Sequence, residues 1–128
     1  MTAKPKTPVP SESAEQIALF RWVWFMSKSR PELSLLHHIG NGGWRNPATA
    51  ARLKREGVRA GVPDLCLPVA RGGFHSLYVE LKRKTGGKVS DVQKTWIAAL
   101  QEQGHLVAVC AGADEAIKVI TGYLNLKQ

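Results

Sequence analysis

Apolar residues recur at helical spacing early in the chain, at Ile17, Phe20 and Trp24, with Leu19, Val23 and Met26 widening the stripe. The pattern predicts a first helix that ends before Pro31, since a proline holds the residue before it in extended backbone. Its N-cap is Ser11 or Ser13, and Ser13, Ala14, Glu15 and Gln16 have the form of a capping box. Residues 33–39 are a short apolar segment between Pro31 and the run Gly40, Asn41, Gly42, Gly43, which reads as a strand entering a turn. A second helix is expected over 48–55, stopping at Gly57.

The apolar run 65–69 is limited by Pro68 to the edge or end of a strand, and Arg71, Gly72 and Gly73 mark a hairpin turn after it. Through 74–82, Leu77, Val79 and Leu81 alternate with Tyr78, Glu80 and Lys82. A strand has period two, so Glu80 and Lys82 share one face. Ser90 and Gln93 frame a second capping box, opening a helix through Trp96, Ile97 and Leu100 that ends near Gly104. A buried-type strand over 106–111 and an amphipathic helix over 114–124, with Ala116, Ile117, Ile120 and Leu124 inward, complete the chain. The order α, β, α, β, β, α, β, α predicts an α/β fold, a small mixed β-sheet flanked by helices.

Length and composition narrow this picture. The 128 residues suit a single domain over 12–128, preceded by a flexible, basic, proline-rich arm at 1–11. A hydrophobic content of 44% supplies a real core and excludes wholesale disorder. The net charge of +8 points to a polyanionic partner, nucleic acid ahead of an anionic membrane surface. The apolar stretch 17–26 is interrupted by Arg21 and is far short of the roughly 20 residues of a membrane span. Cys66 and Cys110 each lie inside an apolar run and read as small buried hydrophobes, fitting a reducing, cytoplasmic setting.

The chemistry-bearing residues are Asp64, after Pro63, and Glu80 and Lys82, one hairpin later. An acid at the start of one strand and an acid on its neighbour converge at one sheet edge, with the lysine two positions along the same face. Such oxygen donors suit a hard divalent cation, usually Mg²⁺, and the backbone carbonyl of Leu81 is placed to complete its shell. The cation polarises a scissile phosphate, and Lys82 orients the attacking water or neutralises developing charge. Arg52, Lys54, Arg55 and Arg59, with Trp44 and Arg45 in the glycine-rich turn, read as a phosphate-tracking surface, which Arg83, Lys84 and Lys88 extend beside the metal site. His37 and His38 do not make an HNH-type site, because neighbouring strand residues point to opposite faces and no second ligand histidine follows on a helix.

In Glu15 and Gln16, Asn41 and Gly42, the run Gly61, Val62, Pro63, Asp64, then Glu80, Leu81, Lys82, and Ser90 to Gln93 followed by Trp96, the sequence resembles the VRR-NUC (virus-type replication-repair nuclease) family of the PD-(D/E)xK nucleases. The resemblance implies a restriction-endonuclease-like domain and a structure-selective DNA nuclease that uses Mg²⁺ or Mn²⁺. It also implies that Asp64 and Glu80 bind metal, that Lys82 is catalytic, and that Glu15 and Gln93 complete the site, Glu15 as a further candidate ligand. Small stand-alone members look like phage proteins and are associated with dimers that cut branched DNA such as four-way junctions. A homodimer also fits the size of the chain and the four aromatics Phe20, Trp22, Trp24 and Phe25, which point in several directions from one helix. No membrane partner and no nucleotide cofactor are expected.

Plainer roles stand beside these. Asp64 is able to cap a turn after Pro63, Gln93 already has a role as the third residue of a capping box, and Glu80 with Lys82 suits a solvated strand face. A basic DNA-binding module without catalysis is the rival reading, and an RNA-directed nuclease is a third. The acid pair argues against the rival, since unneutralised carboxylates repel phosphates.

Overall fold

The computed structural model describes residues 8–40 and 45–128. Most of the expected N-terminal arm, residues 1–7, and the turn 41–44 with Trp44 lie outside the described residues; 8–10 are exposed and without regular structure. Helix α1 spans Glu12–Met26, a 3₁₀ turn Pro31–Leu35, strand β1 His37–His38, helix α2 Pro47–Arg55, strand β2 Leu65–Leu67 and strand β3 Leu77–Lys82. Helix α3 (Asp91–Glu102), strand β4 (Leu106–Ala111) and helix α4 (Ala113–Leu124) follow.

Three local expectations are corrected. The N-cap of α1 is Ser11, whose hydroxyl accepts the Ala14 N–H at 3.1 Å, so the helix is already under way at Ser13 and the capping box from Ser13 to Gln16 does not form. Of residues 33–39, Leu33 to Leu35 belong to a 3₁₀ turn and only His37 and His38 are strand. Leu33 and Leu36 are both buried, and a spacing of three brings them to one side of a 3₁₀ turn, whereas a strand would send them to opposite faces. The strand expected over 74–82 begins only at Leu77, because Arg71 and Phe74 close a tight turn on each other and the His75 N–H leaves the ladder for the Gly104 carbonyl.

The four strands lie in the order β1-β2-β3-β4, antiparallel between the first three and parallel between β3 and β4. The parallel pair is joined through α3, a crossover that puts this helix on one face of the sheet. On the other face, Leu77, Val79 and Leu81 of β3 join Leu65 and Leu67 of β2 and Cys110 of β4 in a core that Leu19 and Val23 of α1 and Ala116, Ile120 and Tyr123 of α4 close. The Tyr123 hydroxyl, buried in that core, donates to the Val69 carbonyl. Both cysteines are buried and unpaired, as their apolar settings predicted. Among the described residues no helix is long and apolar enough to cross a membrane.

Candidate active site

Period two along β3 sends Leu77, Val79 and Leu81 into the core with α1 and α4, and Tyr78, Glu80 and Lys82 to the face that α3 covers. Asp64 immediately precedes β2, whose first residue Leu65 pairs with Val79, so the antiparallel register places Asp64 opposite Glu80. The Asp64 carboxylate accepts the Leu81 N–H at 2.8 Å. Its backbone carbonyl is gripped from β1, by the Ile39 N–H at 2.6 Å and by a bond to His38 Nδ1 at 3.0 Å. That grip was not foreseen from the sequence, which carries no local signal of a contact 26 residues away.

Gly61 sets the approach of this segment to α3. It has a φ of +93°, and a Cβ there would meet the Val92 carbonyl oxygen at 2.8 Å, so only glycine lets the chain pass so close before Pro63 and Asp64. Gly87 acts likewise on the lysine, since a Cβ there would lie 2.9 Å from Cβ of Lys82.

Gln93 joins the pieces. Its Oε1 accepts the Ser90 N–H at 2.9 Å while the Ser90 hydroxyl accepts the Gln93 N–H, a complete capping box. The same Oε1 accepts from Lys82 Nζ at 3.1 Å, and its Nε2 donates to Glu80 Oε1 at 3.0 Å. One side chain therefore caps α3 and bonds to both Lys82 and Glu80. Lys82 Nζ lies 3.5 Å from Glu80 Oε1, and both side chains are largely buried.

Glu80 is 2% exposed, and among the described residues its Oε2 has no hydrogen-bond partner. Burial pushes its carboxyl up to about 8, and the charge of Asp64, close enough to share a hydrogen bond with the protonated form, adds to the rise against the opposing pull of Lys82. Two neighbouring carboxylates, one with a buried unpartnered oxygen, form a hard-oxygen donor set that a divalent cation fits, because it supplies the positive charge that the pair otherwise obtains from a proton. Among the described residues no third His, Cys, Asp or Glu side chain joins the pair in a metal-holding group. The remaining ligands would be water, substrate oxygens and a backbone carbonyl such as that of Leu81.

Glu15 is engaged at the start of α4. It lies on the buried side of α1, and its Oε1 accepts the Ala113 N–H at 3.0 Å. The α4 N-cap, Gly112, has no side chain to offer, so Glu15 caps that helix across 98 residues of sequence. Of the basic residues, Arg45, Arg52, Lys54, Arg55 and Arg59 are exposed on or beside α2, which buries no residue, and Arg83, Lys84 and Lys88 are exposed after β3. Arg52 pairs with Glu56 at 3.0 Å along the surface of α2.

A carboxylate pair, a lysine and a glutamine thus converge at one strand of a mixed sheet. The family profile of the VRR-NUC domain matches residues 11–114. A solved structure described as "VRR_NUC domain protein" is 32% identical, with a TM-score of 0.82 over 95% of this chain and 94% of that one. No protein of curated function matches. The chain belongs to the VRR-NUC family and has a nuclease-type fold, for which DNA is the implied substrate.

Two outcomes follow from the geometry. Gln93→Ala removes the cap bond and both site bonds together, and is expected to lower stability by roughly 0.5–2 kcal/mol. Gln93→Glu keeps an acceptor for Ser90 and Lys82 but faces Glu80 with an oxygen in place of a donor. Denaturant melts are expected to show Gln93→Glu losing stability more steeply than Gln93→Ala as pH rises, because the added carboxylate faces Glu80; parallel pH profiles would show that the glutamine does not engage Glu80.

Glu80 titrates near its ordinary 4.5 in the unfolded chain and at about 8 in the fold. Between those values the folded protein holds the extra proton, so its contribution is complete below 4.5 and is lost as pH rises through about 8. With chelator present, Tm is expected to fall from pH 5 to pH 8 more steeply than in Glu80→Gln. Equal slopes would contradict the burial of Glu80 beside Asp64.

Proposed function

We propose that this chain is a divalent-metal-dependent DNA endonuclease that hydrolyses phosphodiester bonds, with branched DNA such as four-way junctions as its preferred substrate. The observation that carries the reading is the Asp64–Glu80 pair with Lys82 Nζ and Gln93 Nε2 arranged around it. A DNA-binding module without chemistry gains nothing from two carboxylates turned toward phosphates.

Asp64, Glu80 and the Leu81 carbonyl would hold Mg²⁺ or Mn²⁺. Such a cation, when bound, polarises the phosphate and lowers the pKa of the attacking water. Lys82 offers an ammonium beside the pair, placed to orient that water and to neutralise charge developing on the phosphoryl oxygens. Gln93 fixes both the lysine and the Glu80 carboxylate, so neither has to be ordered when substrate arrives. Glu15 holds the start of α4. The exposed bases of α2 and of the segment after β3 supply sequence-independent contacts to the DNA backbone.

The homodimer belongs to the same reading. Helix α1 is apolar around most of its circumference, and on the side away from the core Ile17, Trp24 and Phe25 are 53%, 68% and 74% exposed, with the Phe20 ring tilted against Trp24. Joining two copies across this face covers it and presents two sites, as the two-fold symmetry of a junction requires. Buried free cysteines agree with the reducing cytoplasm of a bacterial or phage-infected cell.

Alanine at Asp64, Glu80 or Lys82 is expected to lower cleavage at least about a hundredfold in a protein that still folds. Cleavage is expected with Mg²⁺ or Mn²⁺ and not with Ca²⁺ or chelator. Unchanged cutting by Glu80→Ala, or full turnover in chelator, would refute the assignment. Light scattering is expected to give a mass near twice 14.0 kDa that Trp24→Glu halves, with four-way DNA cut in preference to linear duplex. A monomeric wild type that cuts both equally would refute the dimer and the selectivity.

A further inference from the structure

Next to the segment that leads into Asp64, whose Val62 lines it, is an open pocket of about 430 Å³, within the range of about 300–1,000 Å³ typical of ligand sites. Its walls include Ile39, Val58, Val62 and the indole of Trp96, and the exposed charged residues Glu56 and Arg59 also line it. Two of these walls are continuous with the proposed site. Ile39 donates its N–H to the backbone carbonyl of Asp64, and Trp96 stands one helical turn beyond Gln93 on α3. Side chains so spaced on a helix are neighbours, about 5–6 Å apart at Cβ. Trp96 is only partly buried, although a tryptophan with no role outside the core gains by burying its whole ring.

We propose that this pocket receives one unstacked base of the DNA, next to the phosphodiester bond that is cut. The inference rests on the nuclease reading above and adds a device for selecting substrate. An apolar slot with one aromatic face suits any base, because every base has a π-face to stack. The charge of the chain favours a nucleic acid over a neutral ligand of the same size, and the basic residues of α2 lie next to the pocket through Glu56 and Arg59. A base in continuous duplex reaches the slot only by breaking its stack and its pair. A base at a branch point has lost part of both, so entry costs less there. Preference for branched DNA then arises at the cut itself, inside each subunit, and does not depend on dimer geometry alone.

The test is a coupled substitution in protein and DNA, read as binding affinity in Ca²⁺ with cleavage scored separately in Mg²⁺. Trp96→Ala is expected to weaken binding of a four-way junction about tenfold, as loss of one stacked base implies. Removing the base at one position flanking the cut is expected to weaken wild-type binding to a similar degree, and the two changes together to cost no more than either alone. Trp96→Phe is expected to retain most of the affinity, and Val58→Phe, which narrows the slot, to lose it with Trp96 intact. The scan of abasic positions uses wild-type protein and stands even if Trp96→Ala does not fold. Losses that multiply, or no effect of base removal at any position flanking the cut, in a protein that cleaves junctions would overturn the pocket and leave the nuclease reading intact. Absence of cleavage in every metal would overturn the nuclease reading and the pocket with it.

Discussion

Two carboxyl groups held side by side, one of them with its side chain almost wholly removed from water, are the constraint on which the site depends. Left alone, Asp64 and Glu80 would repel each other and Glu80 would lose its hydration, a combination that the fold tolerates only by surrounding the pair with donors. The Leu81 N–H, the Gln93 amide and the Lys82 ammonium supply them, and one Glu80 oxygen is still left over. Such an arrangement gives up stability to keep a hard-oxygen site prepared for positive charge, as functional sites commonly do.

The scaffold that enforces this is a short antiparallel pair, β2 with β3, and a parallel crossover, β3 through α3 to β4. The antiparallel register sets Asp64 opposite Glu80. The crossover brings the first turn of α3 over the same face, and its capping box orients Gln93 so that one side chain closes the helix end and ties the site together. Because Gln93 serves both ends, local helix stability and site geometry are coupled through one amide. Glu15 performs the corresponding service on the other face, where a carboxylate from α1 stands in for the side chain that Gly112 lacks.

The two faces of the sheet thus divide the labour. Helices α1 and α4 bury the apolar side of β3, and α3 covers the side that bears Glu80 and Lys82. Among the described residues, the large exposed aromatics lie on the outer side of α1, away from the core.

Most of the elements were legible in the sequence, because period and capping are local properties. The alternation from Leu77 to Lys82 determined which side chains share a face, and Ser90 with Gln93 determined where α3 begins. Asp64, Glu80 and Lys82 were recognisable as a set because each carries its chemistry in its own side chain. The misreadings came where local signals compete. Ser11 and Ser13 are chemically equivalent caps, and the leucines of 33–39 suit a strand or a 3₁₀ turn until Leu33 and Leu36 meet α1. Only the tertiary structure decided that Gln93 caps α3 while bonding to Glu80 and Lys82, that Glu15 reaches the α4 N-terminus, and that Trp96 borders a pocket. Each of these depends on contacts between residues far apart in the chain or on separate elements, and such contacts are set by how the helices pack on the sheet, a relation that no local pattern of residues encodes.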